Sequence, residues 1–225
     1  MMEPNDSTII FLTANKVPKA WAAFHKEKLL EAAAGKPIIT ISREPLDWGI
    51  NVLQTETYGA SNIYFQLLKG AKMASTDYIA VAEDDALYPK EHFDYRPAPD
   101  TFAYNMNRFN LFTWGRPTYS WKNRMGNFTL VAPTKLAIEA LEERFAKYPN
   151  GTPVTGELGR PNVAEKLGLT PRKSAWFTTE ISVVHIDHEL GIDTLARTHR
   201  KGMGILRSYE IPYWGRAKDL IGKFA

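Results

Sequence analysis

The sequence predicts one α/β domain with a mainly parallel central sheet flanked by helices, and three observations predict it. Short β-branched apolar runs at residues 8–13, 38–42 and 78–82 read as buried strands. Stretches rich in helix formers separate them, long enough for the crossovers that parallel pairing requires. With 225 residues, 44% of them hydrophobic, the chain carries the apolar content of one core, two at the most.

Thr8-Ile9-Ile10-Phe11-Leu12-Thr13 is the first strand. Pro18 has the fixed φ of a helix start, helix formers follow from Trp21 to Ala34, and Gly35 with Lys36-Pro37 stops them. Ile38-Ile39-Thr40-Ile41-Ser42 is the second strand, followed by a polar loop through Trp48 and Gly59. Ser61 is placed to cap a helix through Asn62, Tyr64, Leu67, Leu68 and Ala71, after which Tyr78-Ile79-Ala80-Val81-Ala82 is the third strand. Ligands of such sheets bind outside the carboxyl ends of the strands. These ends deliver Thr13 to Asn15, Ser42 to Glu44 and Glu83 to Asp85 to one edge.

The second half changes character. Tyr95, Phe102, Tyr104, Phe109, Phe112, Trp114, Tyr119 and Trp121 interleave with Arg96, Arg108, Arg116, Lys122 and Arg124, which reads as a stacking surface or as core. Gly126 to Val131 is a strand, Pro133 starts a helix, a Gly- and Pro-rich loop covers Tyr148 to Pro161, and a short helix surrounds Val163 to Leu167. A strand from Ile181 to Ile186 leads into His185, Asp187 and His188.

Composition excludes several classes. No window approaches about eighteen uninterrupted apolar residues, and Met1-Met2-Glu3-Pro4-Asn5-Asp6 lacks a basic region leading into an apolar core, so neither a membrane span nor a signal peptide is expected. The absence of cysteine removes disulfides, thiolate metal sites and thiol nucleophiles, and fits a cytoplasmic protein. The formal net charge of +3 is small but uneven. From Arg197 onward Arg197, Arg200, Lys201, Arg207, Arg216, Lys218 and Lys223 face only Glu210 and Asp219, a cationic segment.

Glu83, Asp84 and Asp85 are three consecutive acids at a strand end, and like charges so close disfavour joint ionisation unless a cation sits among them. A divalent metal is the natural counter-charge; the plain alternative is a solvated acidic loop. Without thiols, the further ligands must be oxygen or imidazole, and three of the five histidines, His185, His188 and His199, lie close together. Strand alternation through this segment turns His185 and Asp187 one way and His188 the other, a limit that a loop beginning at Asp187 would relax.

Gly59-Ala60-Ser61-Asn62, Gly70-Ala71-Lys72 and Thr76-Asp77-Tyr78-Ile79-Ala80-Val81-Ala82-Glu83-Asp84-Asp85 with Tyr88-Pro89 resemble the GT-A glycosyltransferases, particularly family-2-like members, which use a nucleotide-sugar donor. The resemblance is clearest over residues 7–90. It implies a Rossmann-like nucleotide-sugar-binding half over 7–90 and an acceptor-binding half over 91–225, within one GT-A-like domain. It implies that Glu83 faces the donor ribose, with Asp84 beside it, and that Asp85 is the catalytic metal ligand. Thr13, Asn15, Ser42, Glu44 and Asn62 take the positions of nucleobase and ribose contacts, while Ser61 and Asn62 read equally as a helix cap. A C-terminal histidine completes the metal shell in such enzymes, which points to His188 first and His185 second, around Mn²⁺ or Mg²⁺.

The expected activity is transfer of a sugar from a nucleotide diphosphate, a UDP-sugar before others, to an acceptor hydroxyl. Glu157, between Gly156 and Gly159, is the candidate catalytic base because the glycines allow close approach. Trp114, Tyr119 and Trp121 stand in a loop-like context and are candidate acceptor contacts, with Arg200 and Lys201 as cationic support. The acceptor is a hydroxylated base in DNA, or else a glycan, a lipid-linked or a small-molecule hydroxyl. A nucleotidyltransferase is the nearest rival, but Ala14-Asn15-Lys16-Val17-Pro18 lacks the glycines of a triphosphate loop. A nucleic-acid or carbohydrate binding module leaves the acids and histidines unexplained.

Overall fold

The structure is a computed structural model that describes residues 6–56, 59, 61–121, 123–188 and 206–224. The first half comprises β1 (Ser7–Leu12), α1 (Lys19–Ala33), β2 (Ile38–Ser42), β3 (Ile50–Leu53), α2 (Asn62–Met73) and β4 (Tyr78–Glu83). Then come β5 (Ala86–Leu87), α3 (Lys90–Asp94), β6 (Thr101–Asn105), β7 (Arg108–Phe112) and β8 (Tyr119–Trp121). A 3-10 turn at Asn127–Thr129 leads to β9 (Leu130–Pro133), α4 (Thr134–Lys147), α5 (Pro161–Leu167), β10 (Lys173–Phe177) and β11 (Val183–Asp187). The chain ends in β12 (Leu206–Ser208), β13 (Glu210–Ile211), β14 (Gly215–Arg216) and α6 (Ala217–Phe224).

Seven strands form the central sheet in the order β10, β6, β9, β4, β1, β2, β3. β4, β1, β2 and β3 are mutually parallel, β10 is parallel to β6, and β9 runs antiparallel to both its neighbours. This is the mixed α/β architecture expected, a mostly parallel sheet with helices on both faces. β1 shows why: every residue is buried, so it reads as a continuous apolar run. Ile10 and Leu12 pack with Tyr64, Leu67 and Ala71 of α2 and Ala137 and Leu141 of α4. Ile9 and Phe11 face Leu29, Ala32 and Ala33 of α1 and Phe93 of α3. Full burial of each such side chain contributes roughly 1.5–3 kcal/mol. Gly70 sets the spacing on the first face, because a Cβ there would meet Ile10 Cγ2 at 2.5 Å.

A second sheet of five short strands has the order β12, β8, β7, β11, β5. Its core joins Leu111, Tyr119, Val184 and Ile186 to Trp21 of α1 and to Leu220 and Phe224 of α6. The chain leaves the central sheet for the second from β4 to β5, from β6 to β7 and from β10 to β11. The last two passages are sewn together: Asn105 Nδ2 donates to Thr179 Oγ1 (2.8 Å), Asn107 Nδ2 to Thr179 O (2.7 Å) and Ser182 Oγ to Asn107 Oδ1 (2.8 Å). Asp84 and Asp85 occupy the first passage, directly after Glu83 at the end of β4.

Several expectations change. The polar loop after β2 contains β3, entered at Gly49 with φ 66°, and β10 follows α5. Both are edge strands with half-exposed residues, so neither carries a buried run of apolar side chains. Ser61 does not cap α2 through its side chain; its hydroxyl accepts the Thr152 N–H (3.0 Å) and ties the helix start to the 148–161 loop. The C-terminal part is not only a charged tail, since α6 completes the second core. Arg197, His199, Arg200 and Lys201 lie outside the described residues. No helix among the described residues is long and apolar enough to cross a membrane.

Candidate active site

β4 pairs in parallel with β1, with Glu83 opposite Leu12, so the acids emerge beside Thr13. The Thr13 hydroxyl donates to Asp84 Oδ2 and accepts the Asn15 N–H (2.8 Å). Asn15 has φ 56°, a conformation that asparagine tolerates better than most residues. That turn aims its side-chain carbonyl at β2, where Oδ1 accepts the N–H groups of Arg43 (2.8 Å) and Glu44 (3.0 Å). A continuous relay thus joins the ends of β4, β1 and β2.

Of the residues expected at the donor, the relay brings together Thr13, Asn15, Glu44 and Asp84, and Glu44 keeps its side chain exposed. Ser42 is buried, and its hydroxyl is committed to Glu44 O (2.7 Å) and to the Asn51 amide (2.8 Å), so it organises the loop from within. Asn62 stands apart, bonded to Gln54 Oε1 (3.0 Å) and lining a groove of about 560 Å³ with Glu56, Phe65, Tyr148 and Thr152.

The turn after β4 is held from behind by Trp21 and His25, which no local signal marks, and by Tyr88. Trp21 Nε1 donates to Asp84 O (2.7 Å), His25 Nε2 lies 2.8 Å from Ala86 O, and the Tyr88 hydroxyl accepts the Glu83 N–H (2.9 Å). Trp21 and His25 come from α1, whose buried face presents them to a strand end distant in sequence.

β5 pairs antiparallel with β11, His185 opposite Ala86, and Ile186 N–H donates to Asp85 O (2.7 Å). This pairing sets His185 Nε2 3.4 Å from Asp85 Oδ2. β11 ends at Asp187, and His188, just beyond it, brings its own Nε2 to 3.5 Å from the same oxygen. The alternation limit is therefore relaxed and both histidines flank Asp85. Ligand atoms of Glu83, Asp85 and His185 all lie within 4.8 Å of one another. His185 thus joins the potential ligand group ahead of His188, and Glu83, expected at the ribose, falls within it.

The electrostatics divide the two aspartates. Burial pushes Asp84 up to about 7, the neighbouring Asp85 charge adds to this, and the Thr13 hydrogen bond opposes it. Burial would also raise Asp85, but the His185 charge and the hydrogen bonds from both histidines hold its carboxyl well below the usual range. Burial lowers His185, and the Asp85 and Asp187 charges overcome it, raising the ring to about 10. Without a bound cation, imidazolium is the counter-charge of the acids. The residues fit a divalent metal as its replacement, since Asp85 Oδ1 is buried with no hydrogen-bond partner.

The remaining candidates lie elsewhere in the structure. Tyr119 lies on β8 and is 0% exposed, a core residue because α6 and β11 cover it; it cannot touch an acceptor. Trp121 is half-buried with its indole N–H committed to Met106 O (3.1 Å). Trp114 is half-buried in a loop against Phe112. Glu157 is buried and paired with Arg160 (2.8 Å) beside a cavity of about 20 Å³ that Arg144 also lines. That places it against α4 and α5.

No family model and no curated protein matches the chain. Among solved structures, an inositol-1-phosphate CTP transferase from T. maritima is similar over 91% of this chain and 100% of that one, at 10% identity and a TM-score of 0.47. Mannosyltransferase PcManGT from Pyrobaculum calidifontis, in complex with GDP-Man and Mn2+, is similar over 81% of this chain and 56% of that one, at 14% identity and a TM-score of 0.44. Glycosyltransferase GlyE of Streptococcus pneumoniae TIGR4 is similar over 76% and 45%, at 10% identity and a TM-score of 0.45. The chain spans about half the length of these two glycosyltransferases. The fold assignment rests on the strand order, and the site on its geometry.

Proposed function

We propose that the chain transfers a sugar from a nucleotide diphosphate donor to an acceptor hydroxyl, using a divalent cation held by Glu83, Asp85 and His185. The observation that carries this reading is Asp85 itself: a carboxylate at the carboxyl edge of parallel strands, with Oδ1 buried without a partner, Oδ2 flanked by both histidines, and ligand atoms of Glu83 and His185 within 4.8 Å of its own. Such an oxygen costs free energy unless positive charge meets it. Two carboxylates with one imidazole suit Mn²⁺, with Mg²⁺ the alternative.

When bound, the cation supplies Lewis-acid stabilisation of the charge that develops on the departing diphosphate. The chain's own residues shape the rest. Thr13 and Asn15 hold the β1 and β2 loops in register with the acids, and Glu44 is exposed where it can meet the nucleoside of a UDP-sugar. Trp21 and Tyr88 fix the turn, so its carboxylates are oriented before a ligand arrives. The cationic run from Arg197 supports an anionic acceptor, a hydroxylated base in DNA, over a neutral glycan or small molecule.

Thermal unfolding with UDP, GDP, ADP and their sugars, each in Mn²⁺ and in EDTA, tests the donor, because a ligand of the folded state alone raises the midpoint. A Mn²⁺-dependent rise with one nucleotide is expected, and flat midpoints throughout would remove the transferase reading. Binding of hydroxymethylated DNA that weakens steeply with salt is expected for the DNA acceptor.

A further inference from the structure

An imidazole ligates a cation through the nitrogen that carries no proton, and the partner of its other nitrogen decides which one that is. His185 Nε2 faces Asp85, while Nδ1 faces two groups that ask for opposite arrangements. Asn110 Nδ2 stands 3.3 Å away and can only donate, which favours a lone pair on Nδ1 and a proton on Nε2. Asp187 Oδ1 stands 3.8 Å away and accepts, which favours the proton on Nδ1 and leaves Nε2 its lone pair.

The surroundings fix both partners. Arg108 Nη1 donates to Asn110 Oδ1 (3.1 Å), so the asparagine presents its NH₂ group to β11. Arg108 is itself buried, bonded through Nε to Arg124 O (2.8 Å). Asn110 Nδ2 donates to Asp187 Oδ2 (2.5 Å), which leaves Oδ1 as the oxygen turned to the ring. Phe128 stacks on the imidazole at 4.4 Å and 20° and restrains its rotation.

We propose that Asp187, anchored by Asn110, is a positioning residue that keeps the proton of His185 on Nδ1 and so presents Nε2 to the cation beside Asp85. This rests on the cation site proposed above. Without the carboxylate, the Asn110 N–H takes Nδ1, the proton goes to Nε2, and the ring faces Asp85 with a hydrogen instead of a lone pair. The isosteric Asp187→Asn sharpens the contrast: its oxygen must face the Asn110 NH₂, so its own N–H faces Nδ1.

The test is Mn²⁺ binding to the 225-residue chain stripped with EDTA, followed by electron paramagnetic resonance of the free ion, with no donor or acceptor present. Asp187→Asn is expected to weaken Mn²⁺ by about 10- to 100-fold. Its EDTA melting temperature should stay near that of the unsubstituted chain. ¹⁵N-histidine spectra of the Zn²⁺-loaded chain should show His185 protonated at Nδ1 and lose that signature in Asp187→Asn. Asp187→Ala, in which the Asn110 N–H alone meets Nδ1, is expected to weaken Mn²⁺ by a similar factor and serves if the first variant does not fold. Unchanged affinity in both variants, with binding lost in Asp85→Ala, would overturn the positioning role and leave the cation site. No Mn²⁺ uptake by the unsubstituted chain would overturn both.

Discussion

Asp85 and His185 face each other at 3.4 Å although they come from opposite halves of the chain, because β5 leaves the central sheet at once to pair with β11. A turn of two residues after β4 thereby places an acid of the central sheet against imidazoles at the end of β11. The consequences can be measured one residue at a time.

Asp85→Ala removes the carboxylate beside which ligand atoms of Glu83 and His185 gather. Mn²⁺-dependent stabilisation, about 2.7 kcal/mol at one hundred times the dissociation constant, should vanish. The fold should persist in EDTA. Calorimetry with and without Mn²⁺ checks this, and wild-type Mn²⁺ affinity in the variant would sink the metal assignment.

Thr13→Val keeps the shape of the side chain and deletes the hydroxyl that links Asp84 to Asn15. An unsatisfied group is left behind, and a loss of about 1–3 kcal/mol is expected. Urea unfolding measures the loss. Nucleotide binding should weaken with it, because the β1 and β2 loops are no longer held to the acids.

His92 is buried among Tyr88, Phe93 and Phe177 with neither ring nitrogen bonded, and burial pulls its pKa down to about 3. The unfolded chain takes up this proton near pH 6.5 and the folded chain only near 3. Stability is therefore complete above about pH 6.5 and falls as the pH drops, by about 1.4 kcal/mol per unit. His25, pulled down by burial to about 4, adds a second slope of the same sign. In His92→Phe, the difference in stability between pH 7 and pH 5 should shrink by about 2 kcal/mol. An unchanged difference in urea titrations would contradict the assignment.

Gly70→Ala sets helix propensity against packing. Propensity favours alanine by about 1 kcal/mol, but the new Cβ would lie 2.5 Å from Ile10 Cγ2 on the central strand. Overpacking of this kind costs about 1–3 kcal/mol, so net destabilisation is expected. Adding Ile10→Ala should make the glycine substitution less costly than it is alone, a non-additivity that a double-mutant cycle by thermal unfolding would detect.

The sequence by itself determined the fold class, the course of β1, β2, β4, α1, α2 and α4, and the acids at a strand end. These follow from local periodicity and from turn residues acting on their neighbours, as in the apolar run of β1 or the stop at Gly35. It also marked His185 and His188 as candidate metal ligands. The tertiary structure alone decided what depends on pairing between distant segments. β3 and β10 are edge strands whose side chains are half in water, so they lack the apolar signature of central strands. Tyr119 sits among polar and glycine residues in sequence, yet α6 and β11 bury it completely. Trp21, His25, Asn110 and Asp187 reach the site because a helix face and a strand register deliver them there. A register is a relation between two strands, and each strand read alone carries only half of it.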